Sequence, residues 1–556
     1  MSLMRTLVGL AMLLTLHGAI ASPGGRSGGS AAGGAGAFAA SACAPLVPQN
    51  ADGNYVVPGV LGEVVYKRTS EAVLTLDLYA PADDVVRPLV VVVHGGGFQA
   101  GSSVSFVGQF LELLTEAGYA WASVEYGLGG PARWQEAVSD VADALAFLQC
   151  HGRAAGFDPA RVALFGEDTG AQIAAHVAST KESVAATVLV GAQLELAPAP
   201  GVDEDSRRRA ALLAGGTAAV VPHGRALVVH GAADSEAPLA EARAWCDGVR
   251  ARQKRCELIA VADGIHRAEN WRPAQWGYKQ RITEWLAGAI GAGSPAAVPQ
   301  PAAESRGALH KNIVFAPETG LTLDAWIPRG RGPHVPVLLV HGGGWEAGDK
   351  VTYITPLFAP LARAGLAWFS IDYRLTPDVR HPAQLDDLRR AIAFVQREAD
   401  RFDVDLRRLV LIGESASAQM VAHVGLTDSG VAGVIPFYGV YDFLPMAASA
   451  GPRSIPSRLF GFSVIDGQAR ETLRAYSPIA RVRREQPPML LVHGTNEGLW
   501  EQGRAMAARL RQAGAPHEHY ALEGAPHGME QWEGRPEWQG YKQKVVSWIA
   551  EVTRTP

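Results

Sequence analysis

The sequence predicts an α/β protein made twice over: two tandem domains, each a mostly parallel sheet flanked by helices. Three observations carry this. The chain repeats itself at a constant spacing, short apolar runs alternate with helical patterns, and glycine-rich turns follow the apolar runs.

The repeat is the firmest of the three. Leu74-Thr75-Leu76-Asp77 recurs as Leu321-Thr322-Leu323-Asp324, and His94-Gly95-Gly96-Gly97 as His341-Gly342-Gly343-Gly344. Trp121, Tyr126, Asp140 and Gly166-Glu167 recur as Trp368, Tyr373, Asp387 and Gly413-Glu414, every pair 247 positions apart. Gly277-Tyr278-Lys279-Gln280 recurs as Gly540-Tyr541-Lys542-Gln543 at an offset of 263, so the second copy holds 16 extra residues somewhere after Ser415.

In the second copy the apolar runs are Leu321 to Pro328, Val337 to Val340, Ala367 to Tyr373, Leu409 to Ile412, Gly433 to Tyr438, Met489 to Val492 and His517 to Leu522. Continuous runs, such as Leu89 to Val93 in the first copy, suit strands buried on both faces. Their alternation with helices implies parallel sheets, which bind ligands at the carboxyl ends of the strands.

The 556 residues are 48% hydrophobic and 19% charged, with a net charge of −5, so there is ample core and no basic surface for nucleic acid or an anionic membrane. Arg5 followed by the apolar stretch Thr6 to Ile20 and the small residues up to Ala21 reads as a signal peptide over residues 1–21. Export to the periplasm or medium follows. No comparable run comes later, so stable membrane insertion is not expected. A flexible Gly/Ala-rich lead-in (residues 22–50), a first domain (51–290), a Gly/Pro/Ala linker (291–308) and a second domain (309–556) complete the organisation. Cys43, Cys150, Cys246 and Cys256 all lie in the first half, so any disulfide staples that half; three pairings are open, as are free buried thiols.

The chemistry concentrates in the second copy. Leu409 to Ile412 runs into Gly413-Glu414-Ser415-Ala416-Ser417 and then a helical pattern, the strand-turn-helix setting that exposes a nucleophilic serine. Ser417 stands where glycine is usual. Upstream, the loop His341 to Trp345 offers the N–H groups of Gly343 and Gly344 to an oxyanion, with that of Ala416 as a further donor. Glu497 follows the strand Met489 to Val492, and His527 lies on a loop after another strand. Ser415 as nucleophile, His527 as base and Glu497 as its orienting acid form the expected set.

The first copy keeps the glycine loop, Asp234 and His266, but Asp168 replaces the serine. Asp168 reads either as a carboxylate nucleophile attacking saturated carbon or as the mark of a half that has lost ester chemistry, and the second reading is preferred. Neither copy shows metal ligands, and no cofactor is expected.

The glycine loop, the Gly-Glu-Ser-Ala elbow and Asp372-Tyr373-Arg374-Leu375 resemble the hormone-sensitive-lipase-like group of α/β-hydrolases. Tyr476-Ser477-Pro478-Ile479-Ala480, leading into Pro487 to Gly494, is similar to the feruloyl and acetylxylan esterase (BD-FAE-like) and arylformamidase branch. The resemblance implies two tandem α/β-hydrolase domains and a cofactor-independent carboxylic ester hydrolase acting on a small aryl or alkyl ester or an acylated polysaccharide. An arylformamidase-type amide hydrolase and a non-catalytic binding protein are the alternatives. The segment from about 440 to 476 is expected to hold the extra residues as a small lid, with Phe443, Leu459, Phe460 and Phe462 lining a pocket or packing in the core.

Overall fold

In the strand Arg87–Val93 (β3), which ends in the unbroken aliphatic run Leu89 to Val93, all seven residues are buried, as a strand covered on both faces requires. The computed structural model that shows this describes residues 43–81, 83–194, 220–296, 304–428, 430–450 and 454–554. The expected signal peptide, residues 22–42 of the lead-in and residues 297–303 of the linker lie outside the described residues.

The remaining strands of the first half are Leu61–Arg68 (β1), Val73–Tyr79 (β2), Ala120–Val124 (β4), Phe157–Glu167 (β5), Val184–Val190 (β6), Arg225–Gly231 (β7) and Cys256–Val261 (β8). The second half has Gly307–Ala316 (β9), Leu321–Pro328 (β10), Pro336–Val340 (β11), Ala367–Ile371 (β12), Val410–Glu414 (β13), Gly433–Phe437 (β14), Met489–Gly494 (β15) and His517–Leu522 (β16). The two sheets share one order, β1-β2-β4-β3-β5-β6-β7-β8 and β9-β10-β12-β11-β13-β14-β15-β16. In each, the second strand runs antiparallel to both its neighbours and the rest are parallel. This is the tandem α/β fold expected.

Two residues repeated in the sequence turn out to brace the same turn in each half. Asp140 accepts the backbone N–H of Gly127 at 3.0 Å, and Asp387 accepts that of Arg374 at 3.0 Å. Tyr126 donates to His94 O at 2.9 Å and Tyr373 to Gly342 O at 2.7 Å, each tyrosine stacked on the loop histidine. The glycine loops are thereby held from beneath.

The halves are not beads on a string. From Ala44 onward the chain is one compact unit. A single apolar cluster takes Val107 and Phe110 from the first half, and Val351, Leu357, Phe358 and Trp532 from the second. Tyr55 meets Trp326 edge-on at 5.0 Å between ring centres. Each large side chain so buried contributes about 1.5–3 kcal/mol, enough collectively to hold the halves in fixed register.

The extra residues of the second half lie between β14 and β15 and form helices Phe443–Ala450, Ile455–Phe460 and Gly467–Tyr476. Phe443 and Leu459 are buried in the core, Phe443 against Trp345 and Phe460. The core-packing alternative therefore holds for these two. Cys246 is disulfide-bonded to Cys256, in the first half as expected, and no described cysteine is free.

Candidate active site

β13 delivers Glu414 to the carboxyl edge of the sheet, and the helix Ala416–Thr427 begins one residue later. Ser415 must make the whole turn between them, at φ 53° and ψ −112°. A serine in that conformation is strained by roughly 1–3 kcal/mol and persists only because its surroundings fix it. Its N–H donates to Phe437 O at 2.9 Å. Below it, Ser417 is buried; its hydroxyl donates to Val340 O at 2.6 Å and accepts the Glu414 N–H at 2.9 Å. Serine in place of glycine therefore ties the elbow to β11.

Ser415 Oγ lies 2.9 Å from His527 Nε2, and His527 Nδ1 lies 2.9 Å from Glu497 Oε2. With the imidazole neutral, Nδ1–H donates to Glu497 and Nε2 accepts from the hydroxyl. Glu497 is fully buried and its Oε2 also accepts the Leu499 N–H at 2.8 Å, so its direction is fixed. Gly343 and Gly344 turn with φ of 80° and 63°, in the left-handed region, and both line the cleft beside Ser415. Neither N–H donates to a protein acceptor among the described residues. The three residues and the glycine loop expected from sequence thus meet at one point, with Ala416 opening the helix beside them.

The first half brings its own predicted residues together differently. Asp168 sits in the same strained turn, at φ 49° and ψ −119°. Its Oδ2 accepts the Gly96 N–H at 3.1 Å, so the side chain occupies its own glycine loop. His266 lies between Asp234, at 2.9 Å, and Asp168, at 3.6 Å. Burial disfavours the imidazolium, but the two carboxylates outweigh it and push the His266 pKa up to about 11. Burial likewise disfavours ionised Asp168, and His266 still holds its carboxyl well below the usual range.

Sequence reasoning missed what walls the Ser415 cleft. Its volume is about 350 Å³, and Phe106, Ile265, Arg267 and Arg272 of the first half line it. None of the four phenylalanine and leucine candidates does. Across the contact, the Phe106 N–H donates to Glu530 Oε1 at 3.1 Å, and Tyr353 Oη donates to Glu269 O at 2.8 Å. Arg272 pairs with Glu346 at 3.2 Å. Burial pushes the pKa of Glu414 up to about 7 and that of Glu530 up to about 8. Among the described residues, no group of three or more histidine, cysteine or acidic side chains is placed to hold a metal ion, and no helix is long and apolar enough to cross a membrane.

A serine raised on an elbow at the end of a parallel strand, beside a glycine loop and a His–Glu pair from later loops, defines an α/β hydrolase. The BD-FAE family model matches residues 76–195 and 323–507, more than half of the sequence, and the chain belongs to the BD-FAE family. It is 30% identical over 246 residues to Esterase LipC of Mycobacterium tuberculosis, covering 40% of this chain and 61% of that protein. Probable carboxylic ester hydrolase LipM of the same organism is 29% identical, over 34% of this chain and 47% of LipM. The chain thus spans about half the length of the curated relatives it matches. Among solved structures, esterase LipW from Mycobacterium marinum aligns at 23% identity and a TM-score of 0.38, covering 45% of this chain and 83% of that one.

Proposed function

We propose that the protein is a serine carboxylic ester hydrolase whose chemistry is carried by Ser415, His527 and Glu497. The observation that carries this is the unbroken chain from Ser415 Oγ through His527 to Glu497, at 2.9 Å for each link, beside two unspent glycine N–H groups. Ser415 Oγ attacks the ester carbonyl carbon as His527 Nε2 takes its proton. The N–H groups of Gly343, Gly344 and Ala416 receive the developing oxyanion, each such donor being worth about 10²–10³ in rate. His527 returns the proton to the leaving alcohol, and the acyl-serine is then cleaved by a water that His527 deprotonates. Glu497 keeps Nδ1 protonated and stabilises the imidazolium. The names of the relatives, esterases and a carboxylic ester hydrolase, support an ester over an amide.

The first half, on this reading, does no ester chemistry. A carboxylate nucleophile needs a neutral histidine to activate the water that frees it, and His266 is held protonated between two carboxylates. The Cys246–Cys256 disulfide and the apolar N-terminal run support export, where acylated polysaccharide or small environmental esters are the available substrates. Hydrolysis of 4-nitrophenyl acetate and butyrate by the mature chain and by Ser415→Ala tests the proposal. Ser415→Ala is expected to lose at least about 10³-fold in kcat. Full activity in that variant would end the reading.

A further inference from the structure

A second cleft, of about 870 Å³, surrounds Asp168 and His266. It shares Ile265, Arg267, Asn270 and Gln531 with the Ser415 cleft, so the two adjoin. Arg267 stands at their junction, its guanidinium over the Phe106 ring at 5.0 Å from the centroid. Around it stand Asp168, Asp234 and His266, and burial pushes the carboxyls of Glu167 and Glu269 up from their ordinary range. Glu236, the remaining acid facing His266, is largely in solvent.

What is unspent is hydrogen bonding. Arg272 is tied to Glu346, which also holds Arg458 at 2.7 Å, but the Arg267 guanidinium makes no ion pair or hydrogen bond among the described residues. Five N–H donors in a planar fork match the two oxygens of a carboxylate. The rest of the wall is mixed, with Asp168 and Glu236 as its acids and Ile265, Pro526 and Trp538 among its apolar residues. The Asn496 amide has no partner among the described residues, and Gln531, which donates one N–H to His527 O at 2.9 Å, has its carbonyl oxygen left to accept. Arg535, paired with Glu537 at 2.6 Å, adds a second guanidinium to the lining. A hydroxyl-rich ligand bearing a carboxylate satisfies such a wall, and the volume accommodates more than one ring.

We propose that the first half's former reaction site is a binding subsite for an acidic sugar unit. Arg267 holds the carboxylate while the ester of a neighbouring unit lies over Ser415. The proposal rests on the ester-hydrolase reading and names its substrate class: an acylated oligosaccharide containing a uronic acid.

Calorimetry on the full chain carrying Ser415→Ala, titrated with trigalacturonate or with neutral xylotriose, tests binding without turnover. Trigalacturonate is expected to bind at least about tenfold more tightly. Adding Arg267→Ala should remove at least about tenfold of that affinity, as loss of a charge-assisted pair implies, and Arg267→Lys should recover only part. If Arg267→Ala does not fold, Arg267→Gln carries the same comparison. Equal binding of the two trisaccharides, or affinity unmoved by Arg267 substitution in a folded chain, overturns the subsite. With turnover, the ratio of kcat/KM on acetylated oligogalacturonate to that on acetylated xylo-oligosaccharide should fall at least about tenfold in Arg267→Ala. Failure of the ester reading registers separately, as wild-type chain that hydrolyses no 4-nitrophenyl ester, and the calorimetry decides the subsite in either case.

Discussion

Glu530 links the contact between the halves to pH. It is buried, its Oε1 accepts the Phe106 N–H at 3.1 Å, and burial raises its pKa from the ordinary 4.5 to about 8. Between those two values the folded chain keeps a proton on Glu530 that the unfolded chain has released, so stability falls as pH rises. One such proton is worth about 1.4 kcal/mol per pH unit. The acidic part of that range is obscured by His94, His381 and His423. Their pKa values are lowered by burial to about 4, about 3 and about 4, so they push stability up with pH until roughly 6.5. Above 6.5 their effect fades as the unfolded imidazoles lose their protons, and Glu125, raised to about 8, and His266, raised to about 11, act in the same direction as Glu530. All of these are common to the wild type and a Glu530 variant, so the difference between the two chains from roughly pH 6.5 to 8 reads Glu530. Glu530→Gln keeps the acceptor for Phe106 and the shape of the protonated acid. It should flatten the fall in unfolding free energy between pH 6.5 and 8 by about 1.6 kcal/mol, the slope dropping to half as the carboxyl reaches half-ionisation near pH 8. Urea unfolding of both chains at pH 6.5, 7.0, 7.5 and 8.0 reads the difference. Parallel profiles would show that Glu530 is ionised in the folded state and that burial does not govern its titration.

Other consequences are as direct. Glu497→Gln keeps the size of the side chain but removes the charge that orients His527; kcat for 4-nitrophenyl acetate should fall about 10²–10⁴-fold with KM little changed. Asp168→Ser, made in the Ser415→Ala chain, frees the Gly96 N–H and leaves a Ser–His266–Asp234 set whose turn matches that of Ser415 within 4° in φ and 7° in ψ. It should raise turnover of 4-nitrophenyl acetate at least about tenfold over Ser415→Ala alone, a gain read by single-turnover kinetics. Replacing Cys246 and Cys256 by alanine opens a loop with a sequence separation of 10 and should cost about 3 kcal/mol in urea unfolding, with esterase turnover retained.

Much of the fold was legible because its signals are local. The runs predicted at Leu321 to Pro328 and His517 to Leu522 are β10 and β16 with the same bounds. β9, in contrast, opens at Gly307, inside the stretch read as linker, and was not anticipated. It is an edge strand with one face open, so His310, Lys311 and Asn312 break its apolar pattern, and two irregularities in its register with β10 break the alternation. The Ser415, Glu497 and His527 set was legible for the same local reason: each follows a strand at its carboxyl end. The cleft wall was not. Nothing about Phe106, Ile265 or Arg267 in the sequence marks them as neighbours of a serine far along the chain, because only docking of the halves brings them there.

That docking gives a physical reason for the first half to hold its geometry with aspartate at the elbow. The loop bearing His266 carries Ile265 on one side and Arg267 on the other, and both residues wall the Ser415 cleft. Arg267 itself sits at φ 68°, a conformation that a non-glycine residue holds only when its surroundings fix it. The Asp234–His266–Asp168 chain is one such fixture, since its two ion pairs anchor the loop at the residue just before Arg267. Removing either of these carboxylates would leave His266 with one buried partner, Glu236 at 3.9 Å being largely in solvent, and loosen Arg267 at the mouth of the other site. Asp168, at the position Ser415 holds in the second half, adds an ion pair to that anchor, so the first half's acid–histidine–acid chain braces the wall of the Ser415 cleft.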